Sequence, residues 1–299
     1  MHDTDCLVLI DAYSQIYRGF HAIPRLTNDR DEPTNALFAF ARFLLFVDDK
    51  FDGSYGSVVF DKGAPAERLE ILPSYKATRP PMPDDLEAQI PRIRQWISLT
   101  GWSVLEKEGV EADDLMAAAA EANPEMTVHL ISADKDVAQV LQHKNATQWI
   151  PGKKGKLDKV GPDEVKQKFG VPPRFIPDYL ALLGDASDNI PGVPGIGKKT
   201  AAKLVQNHGT VEDMLANLDQ VKSEKIRRSL VESADDLVRN KRLVTLRADL
   251  PTDCAHREFL RRRKPDWDKM LAMAYDNNLK SLYSTLEKKI HAARNPSLF

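Results

Sequence analysis

Three short aliphatic runs, each closed by acidic residues, constrain this chain most. Leu7-Val8-Leu9-Ile10 runs into Asp11, and Ser57-Val58-Val59-Phe60 runs into Asp61. Val128-His129-Leu130-Ile131 continues through Ser132-Ala133 to Asp134 and Asp136. Runs this short do not make helices, and their unbroken apolar character suits strands buried on both faces of a parallel sheet. A further strand is predicted around Trp149. Helical patterns alternate with the strands over Asn35–Val47, Leu86–Thr100 and Asp113–Ala122. The alternation predicts an α/β fold, with a mostly parallel central sheet flanked by helices. Ligands bind beyond the carboxyl ends of such strands, so Asp11, Asp61, Asp134 and Asp136 are predicted to meet there.

Two further acidic groups share a three-residue spacing. Glu111-Ala112-Asp113-Asp114 stands just before the apolar run Leu115-Met116-Ala117, and Asp185 pairs with Asp188. Taken singly, any of these acids reads as a turn residue or helix cap. Gathered together they repel by several kcal/mol unless a cation lies among them. Oxygen donors without a neighbouring His or Cys favour a hard ion, Mg²⁺ or Mn²⁺, over zinc. Two such ions about 4 Å apart activate water and stabilise the leaving oxygen in phosphodiester cleavage.

Charge is divided along the chain in a matching way. The formal net charge is only −2, yet residues 1–150 hold 14 Lys+Arg against 24 Asp+Glu, and residues 151–299 hold 28 against 20. That asymmetry predicts an acidic working end and a basic gripping end. Cys6 and Cys254 lie far apart and suggest neither a disulfide framework nor a zinc finger. No apolar run approaches the roughly 18 residues of a membrane span, and Met1–Asp5 lacks the layout of a secretory signal. The expectation is a cytoplasmic protein without membrane contact.

The stretch from Ala66 to Ala88 is rich in charge and proline, ending in Arg79-Pro80-Pro81-Met82-Pro83, and reads as a surface excursion of short helices. Within it, Lys76 and Arg79 could neutralise a reacting phosphate while Tyr75 stacks on a base. Arg18, after the first strand, is a similar candidate, whereas His21 reads as structural. From Gly161 onward only helical patterns appear, placing a boundary near residue 170. Gly192-Val193-Pro194-Gly195-Ile196-Gly197-Lys198-Lys199-Thr200 nearly matches a nucleotide-binding P-loop, but Lys199 occupies the Ser/Thr position and no strand precedes it. It reads instead as a helical hairpin gripping a nucleic-acid backbone, with charge from Lys198, Lys199 and Lys203.

Asp11 with Tyr17-Arg18 and His21-Ala22, Phe60-Asp61, Tyr75-Lys76-Ala77-Thr78-Arg79-Pro80, Glu111-Ala112-Asp113-Asp114, Ser132-Ala133-Asp134-Lys135-Asp136 and Gly184-Asp185-Ala186-Ser187-Asp188-Asn189-Ile190-Pro191-Gly192 follow one another in this order. The series resembles the 5′ nuclease family of flap endonucleases, above all the 5′–3′ exonuclease domain that begins bacterial DNA polymerase I. The resemblance implies a PIN-like nuclease core with a helical arch, spanning 1–170 with the arch at about 66–90. It also implies a helix-hairpin-helix-type DNA-binding region over 171–299, its hairpin at about 184–204. One metal site would be Asp11, Asp61, Glu111, Asp113 and Asp114, and the other Asp134, Asp136, Asp185 and Asp188, with sharing between them. Lys76 and Arg79 match the arch cations. Gly195, Gly197, Lys198 and Lys199 match a duplex-binding hairpin that often holds a potassium ion. The implied activity is a two-metal 5′–3′ exonuclease or flap endonuclease of replication and repair. Its partner would be DNA with a 5′ flap or 5′ end, or an RNA primer on DNA. Ala66-Glu67-Arg68 departs from the family's usual Thr-Phe-Arg, and Ala186 replaces a usual Ser. The chain reads equally as a free-standing nuclease or as part of a longer polymerase. The competing reading is a non-catalytic DNA-junction binding module.

Overall fold

Leu7 and Leu9 bury into one hydrophobic core while Val8 and Ile10 bury into another. Side chains alternate across a strand, so the first run must lie in a sheet covered on both faces. The computed structural model describes residues 6–51, 53–152, 155–250 and 256–295. Cys254, and Lys153 and Lys154 of the basic loop, lie outside them. Among the described residues six strands order as β3-β2-β1-β4-β5-β6. They are β1 (Cys6–Asp11), β2 (Tyr55–Val59), β3 (Ser103–Leu105), β4 (Thr127–Ile131), β5 (Ala146–Pro151) and β6 (Leu157–Val160). All pairings are parallel except that of β5 with β6. The sheet is therefore mostly parallel, as expected, but two edge strands were not foreseen. β3 has only three residues, and β6 (Leu-Asp-Lys-Val) has no apolar run, being defined by its hairpin partner.

Helices α1 (Ala12–Ala22), α2 (Asn35–Lys50), α3 (Ala66–Ile71), α4 (Asp84–Glu87), α5 (Ile90–Leu99) and α6 (Ala112–Glu121) interleave with the first four strands. The single helix expected over Leu86–Thr100 is two pieces. Pro91 sits in the first turn of α5, where its missing N–H costs nothing. Gln89 between them is fully buried, and its amide oxygen accepts from the Ala36 and Leu37 N–H groups at 2.8 and 3.1 Å. The break thus supplies a cap for α2, whose own N-cap residue offers no side-chain bond.

Beyond β6 the elements of the described residues are helices: α7 (Pro162–Phe169), α8 (Ile176–Leu183), α9 (Lys198–His208), α10 (Val211–Ala216), α11 (Glu224–Glu232) and α12 (Ala234–Val244). α6 and the helices α8 to α12 build the core that receives Leu7 and Leu9. α13 (Trp267–Asp276) and α14 (Tyr283–Arg294) behave differently. They return to the α/β part, where Met270, Met273 and Leu286 join Phe40 and Trp96 in the opposite core. Arg263 N–H donates to Gly101 at 2.8 Å and Asp266 N–H to Leu99 at 2.8 Å, stitching the return. The apolar faces of α13 and α14 are thus covered by the α/β part of the chain. No helix among the described residues is long and apolar enough to cross a membrane.

Candidate metal centre

Register brings the acids together. Asp11 is opposite Val59 and Ile10 is opposite Ile131, so Asp61 and Asp134 leave neighbouring strands at the same edge as Asp11. Asp11 caps α1 through Ser14 N–H at 3.0 Å and accepts from the Ser132 hydroxyl at 2.8 Å. Asp61 accepts from Ala112 N–H at 3.1 Å, which fixes the start of α6 and its Glu111-Asp113-Asp114 group. Asp134 is exposed, and its carboxylate accepts from Asp136 N–H at 2.8 Å.

Two groups of carboxylates close to within 4.8 Å: Glu111 with Asp113 and Asp114, and Asp136 with Asp185 and Asp188. The second group depends on glycine. Gly184 has a φ of +68°, and a Cβ there would collide with the Gly192 nitrogen, so only glycine allows the turn that presents Asp185 and Asp188. Tyr75 bridges the groups, its hydroxyl 3.0 Å from Asp188 and 3.2 Å from Glu111. The expected base-stacking role for Tyr75 is corrected by this placement. The residue is 6% exposed, with no open ring face to offer.

Lys76 pairs with Glu111 and stands 4.0 Å from Asp188, while Arg79 pairs with Asp188 at 2.6 Å. Lys76 and Arg79 thus both reach the acids. Lys76 holds a φ of +56°, rare for a side-chain-bearing residue, and its N–H donates to the Asp188 carbonyl at 3.0 Å. Asn189 returns a bond to the Ser74 carbonyl at 2.8 Å, so the excursion is docked on the Asp185–Asp188 turn.

Sequence reasoning missed two cations. Arg68 is 6% exposed and forks onto Asp114 at 2.6 and 2.9 Å, touches Glu111, and donates to the Leu243 carbonyl at 3.0 Å. Arg247 N–H supplies a further bond to Asp114 at 2.9 Å, so both Asp114 oxygens are engaged. Lys135 bonds Asp185 at 2.5 Å; its place between Asp134 and Asp136 was the available signal.

Electrostatics follow from this pairing. Burial, with Asp61 and Asp134 nearby, pushes the Asp11 carboxyl up to about 7. Burial, then Asp134, pushes Asp136 up to about 8. Burial, then Asp114 and Glu111, raises Asp113. Burial also works against ionisation at Glu111, but Arg68 and Lys76 outweigh it and hold that carboxyl low. At Asp185 burial is likewise outweighed, by Lys135 and Ser187. Asp136 Oδ1 is buried without any hydrogen-bond partner among the described residues. An all-oxygen donor set with an unpartnered buried carboxylate oxygen fits a hard divalent cation.

The hairpin expected at 184–204 lies between α8 and α9. Gly195 turns the chain at a φ of +80°, and Gly197 caps α9. Neither would bring a Cβ within 4 Å of another atom among the described residues. Lys198, Lys199 and Lys203 are exposed there. Cations at a helix N-terminus oppose its dipole, a placement that becomes favourable when an anion sits between them. Arg18 is exposed on α1 and donates to the Gly152 carbonyl.

Comparison with known proteins agrees with this architecture. Residues 6–170 match the 5'-3' exonuclease N-terminal resolvase-like domain, and residues 171–268 match the 5'-3' exonuclease C-terminal SAM fold. A 5'-3' exonuclease of Aquifex aeolicus is 37% identical over 98% of this chain and 99% of its own length. The thermostable DNA polymerase I of Thermus filiformis is 40% identical over 92% of this chain, which spans only 32% of that protein. Among solved structures, the T5 D15 protein co-crystallised with metal ions superposes with a TM-score of 0.66 at 20% identity, covering 95% of this chain and 98% of its own. Flap endonuclease-1 from Methanococcus jannaschii gives 0.63 at 17% identity, covering 97% and 93%.

Proposed function

The chain belongs to the 5′–3′ exonuclease family, and from that premise we propose that it is a divalent-metal-dependent nuclease hydrolysing DNA phosphodiesters at a 5′ end or flap junction. The observation that carries this reading is the unpartnered Asp136 Oδ1, buried inside an acidic cluster at the carboxyl edge of a parallel sheet. Asp11, Asp61, Glu111 and Asp113 would hold one Mg²⁺ or Mn²⁺ ion, and Asp134, Asp136, Asp185 and Asp188 a second. Asp114, saturated by Arg68 and Arg247, serves as their support. Bound there, divalent ions supply water activation and stabilisation of the leaving oxygen. Lys76 and Arg79, released from Glu111 and Asp188, pair with the reacting phosphate and draw charge from it. The exposed Lys198, Lys199 and Lys203 hold duplex phosphates, and a potassium ion at the hairpin would complete that grip. Residues 1–170 then form the nuclease unit, with its arch at about 66–90, and the hairpin region from 171 grips the substrate. The setting we infer is cytoplasmic replication and repair, with flaps and RNA primers on DNA as substrates.

A junction-binding module without catalysis is disfavoured, because a binder of polyanions gains nothing from clustered carboxylates. An end-labelled 5′-flap substrate with Mg²⁺ separates the two. The wild type is expected to release a labelled flap, and Asp134→Asn to cut at least about 100-fold more slowly while still retarding the substrate in a gel. Undiminished cutting in EDTA would remove the metal from the account.

A further inference from the structure

Gln148 breaks the pattern of the strand that carries it. On β5 it stands opposite Leu130. Ala146, two residues earlier and on the same face, lies in the core that also holds Leu7, Leu9 and Leu130. Such a position calls for an apolar side chain, yet a glutamine only 2% exposed occupies it. Burying an amide is unfavourable unless its hydrogen bonds are made. Here the side-chain NH₂ donates to the Ser132 carbonyl at 3.1 Å and to the Asp134 carbonyl at 2.7 Å.

Those two carbonyls belong to the loop that leaves β4 for the metal centre. The Ser132 hydroxyl donates to Asp11 at 2.8 Å and accepts from the Asp134 N–H at 3.0 Å. The Asp134 carboxylate in turn accepts from the Asp136 N–H at 2.8 Å. One amide group therefore fixes a backbone whose further bonds reach three acids, Asp11, Asp134 and Asp136. These bonds lie beyond the sheet, because β4 ends at Ile131. Carboxylates that converge on a cation bind it more tightly when neighbouring groups already hold them in place.

We propose that Gln148 is a positioning residue of the metal centre, holding the Ser132–Asp134 backbone so that its acids are set for a divalent cation. The inference rests on the nuclease reading for the presence of that cation. A matched comparison lies at the other end of β4. Asn145, just before β5, donates from its own NH₂ to the Pro124 and Met126 carbonyls at 3.2 and 2.8 Å. It makes the same pair of bonds at the amino edge of the sheet, opposite to the acids.

Mn²⁺ uptake by the full chain without DNA, followed by electron paramagnetic resonance of the free ion, tests the proposal. Gln148→Met keeps the length of the side chain and removes both donors, and is expected to weaken Mn²⁺ binding by about ten-fold or more. The Mg²⁺ concentration for half-maximal cleavage of a 5′ flap should rise with it, while KM for the flap stays unchanged. Asn145→Leu is expected to lower the melting temperature in EDTA yet keep Mn²⁺ affinity within about two-fold of wild type. Gln148→Leu repeats the test with a second side chain. Unchanged Mn²⁺ affinity in a folded Gln148 variant, or equal weakening in Asn145→Leu, would overturn the proposal. Failure of both Gln148 variants to fold would overturn it too, by making the amide a general support of the sheet. A wild type that takes up no Mn²⁺ marks failure of the nuclease reading instead.

Discussion

Arg68 carries more of the metal centre than its sequence context announces. Its guanidinium holds Asp114 through two bonds and touches Glu111, all three residues being buried. Removing one member of a buried charge pair leaves the others desolvated and uncompensated, which costs about 3–5 kcal/mol. Arg68→Ala is therefore expected to lose that much in urea unfolding, and Arg68→Lys to recover only part, because an ammonium lacks the planar fork. A loss below about 1 kcal/mol would contradict this role. The acids themselves set a pH dependence. Asp11 and Asp136 are raised from 3.8 to about 7 and about 8, so in the ion-free fold they keep protons that the unfolded chain has released. Stability then falls as pH rises from about 4 to about 8 and levels beyond it. Glu111 and Asp185, held low, act in a separate window, their contribution being lost only as pH drops below the ordinary carboxylate range. In EDTA the melting temperature should fall between about pH 5 and pH 8, with Mn²⁺ restoring most at the upper end. Asp136→Asn should flatten the fall. A melting temperature that climbs with pH in EDTA would refute it.

Elements differ in how openly the sequence displays them. β1, β2 and β4 are legible because burial on both faces demands continuous apolar runs, and their terminal acids were legible with them. β6 was not, since its only requirement is to pair with β5, and Asp158 and Lys159 satisfy that while facing solvent. The break between α4 and α5 was hidden for a similar reason: Gln89 works for α2, 53 residues earlier in the chain. Tyr75 was misjudged because an aromatic in a charged loop reads as exposed until the Asp185–Asp188 turn docks over it. The α9 hairpin was readable in outline from its glycines and lysines, and its function is testable as an element. Ala at both Lys198 and Lys199 should lower the salt slope of blunt-duplex binding by about 0.9 for each phosphate no longer neutralised, without altering sequence preference. An unchanged slope would remove the hairpin from the duplex-binding surface.

At the level of the whole molecule, one topological fact organises the chemistry. β1 lies between β2 and β4, so a parallel sheet delivers acids from distant parts of the chain to one edge. α6 adds Glu111 and Asp113 from beside that edge, and the α8–α9 link adds Asp185 and Asp188 from the helical region. The α3 excursion then brings Lys76 and Arg79 over the top. α13 and α14 close the opposite core and tie the end of the described chain to its beginning. The central claim is that these carboxylates form the walls of a two-ion site. Anomalous diffraction from crystals soaked in manganese measures it directly. The account predicts two strong peaks about 4 Å apart, one against Asp11, Glu111 and Asp113 and the other against Asp136, Asp185 and Asp188. A map without peaks at those oxygens would contradict it.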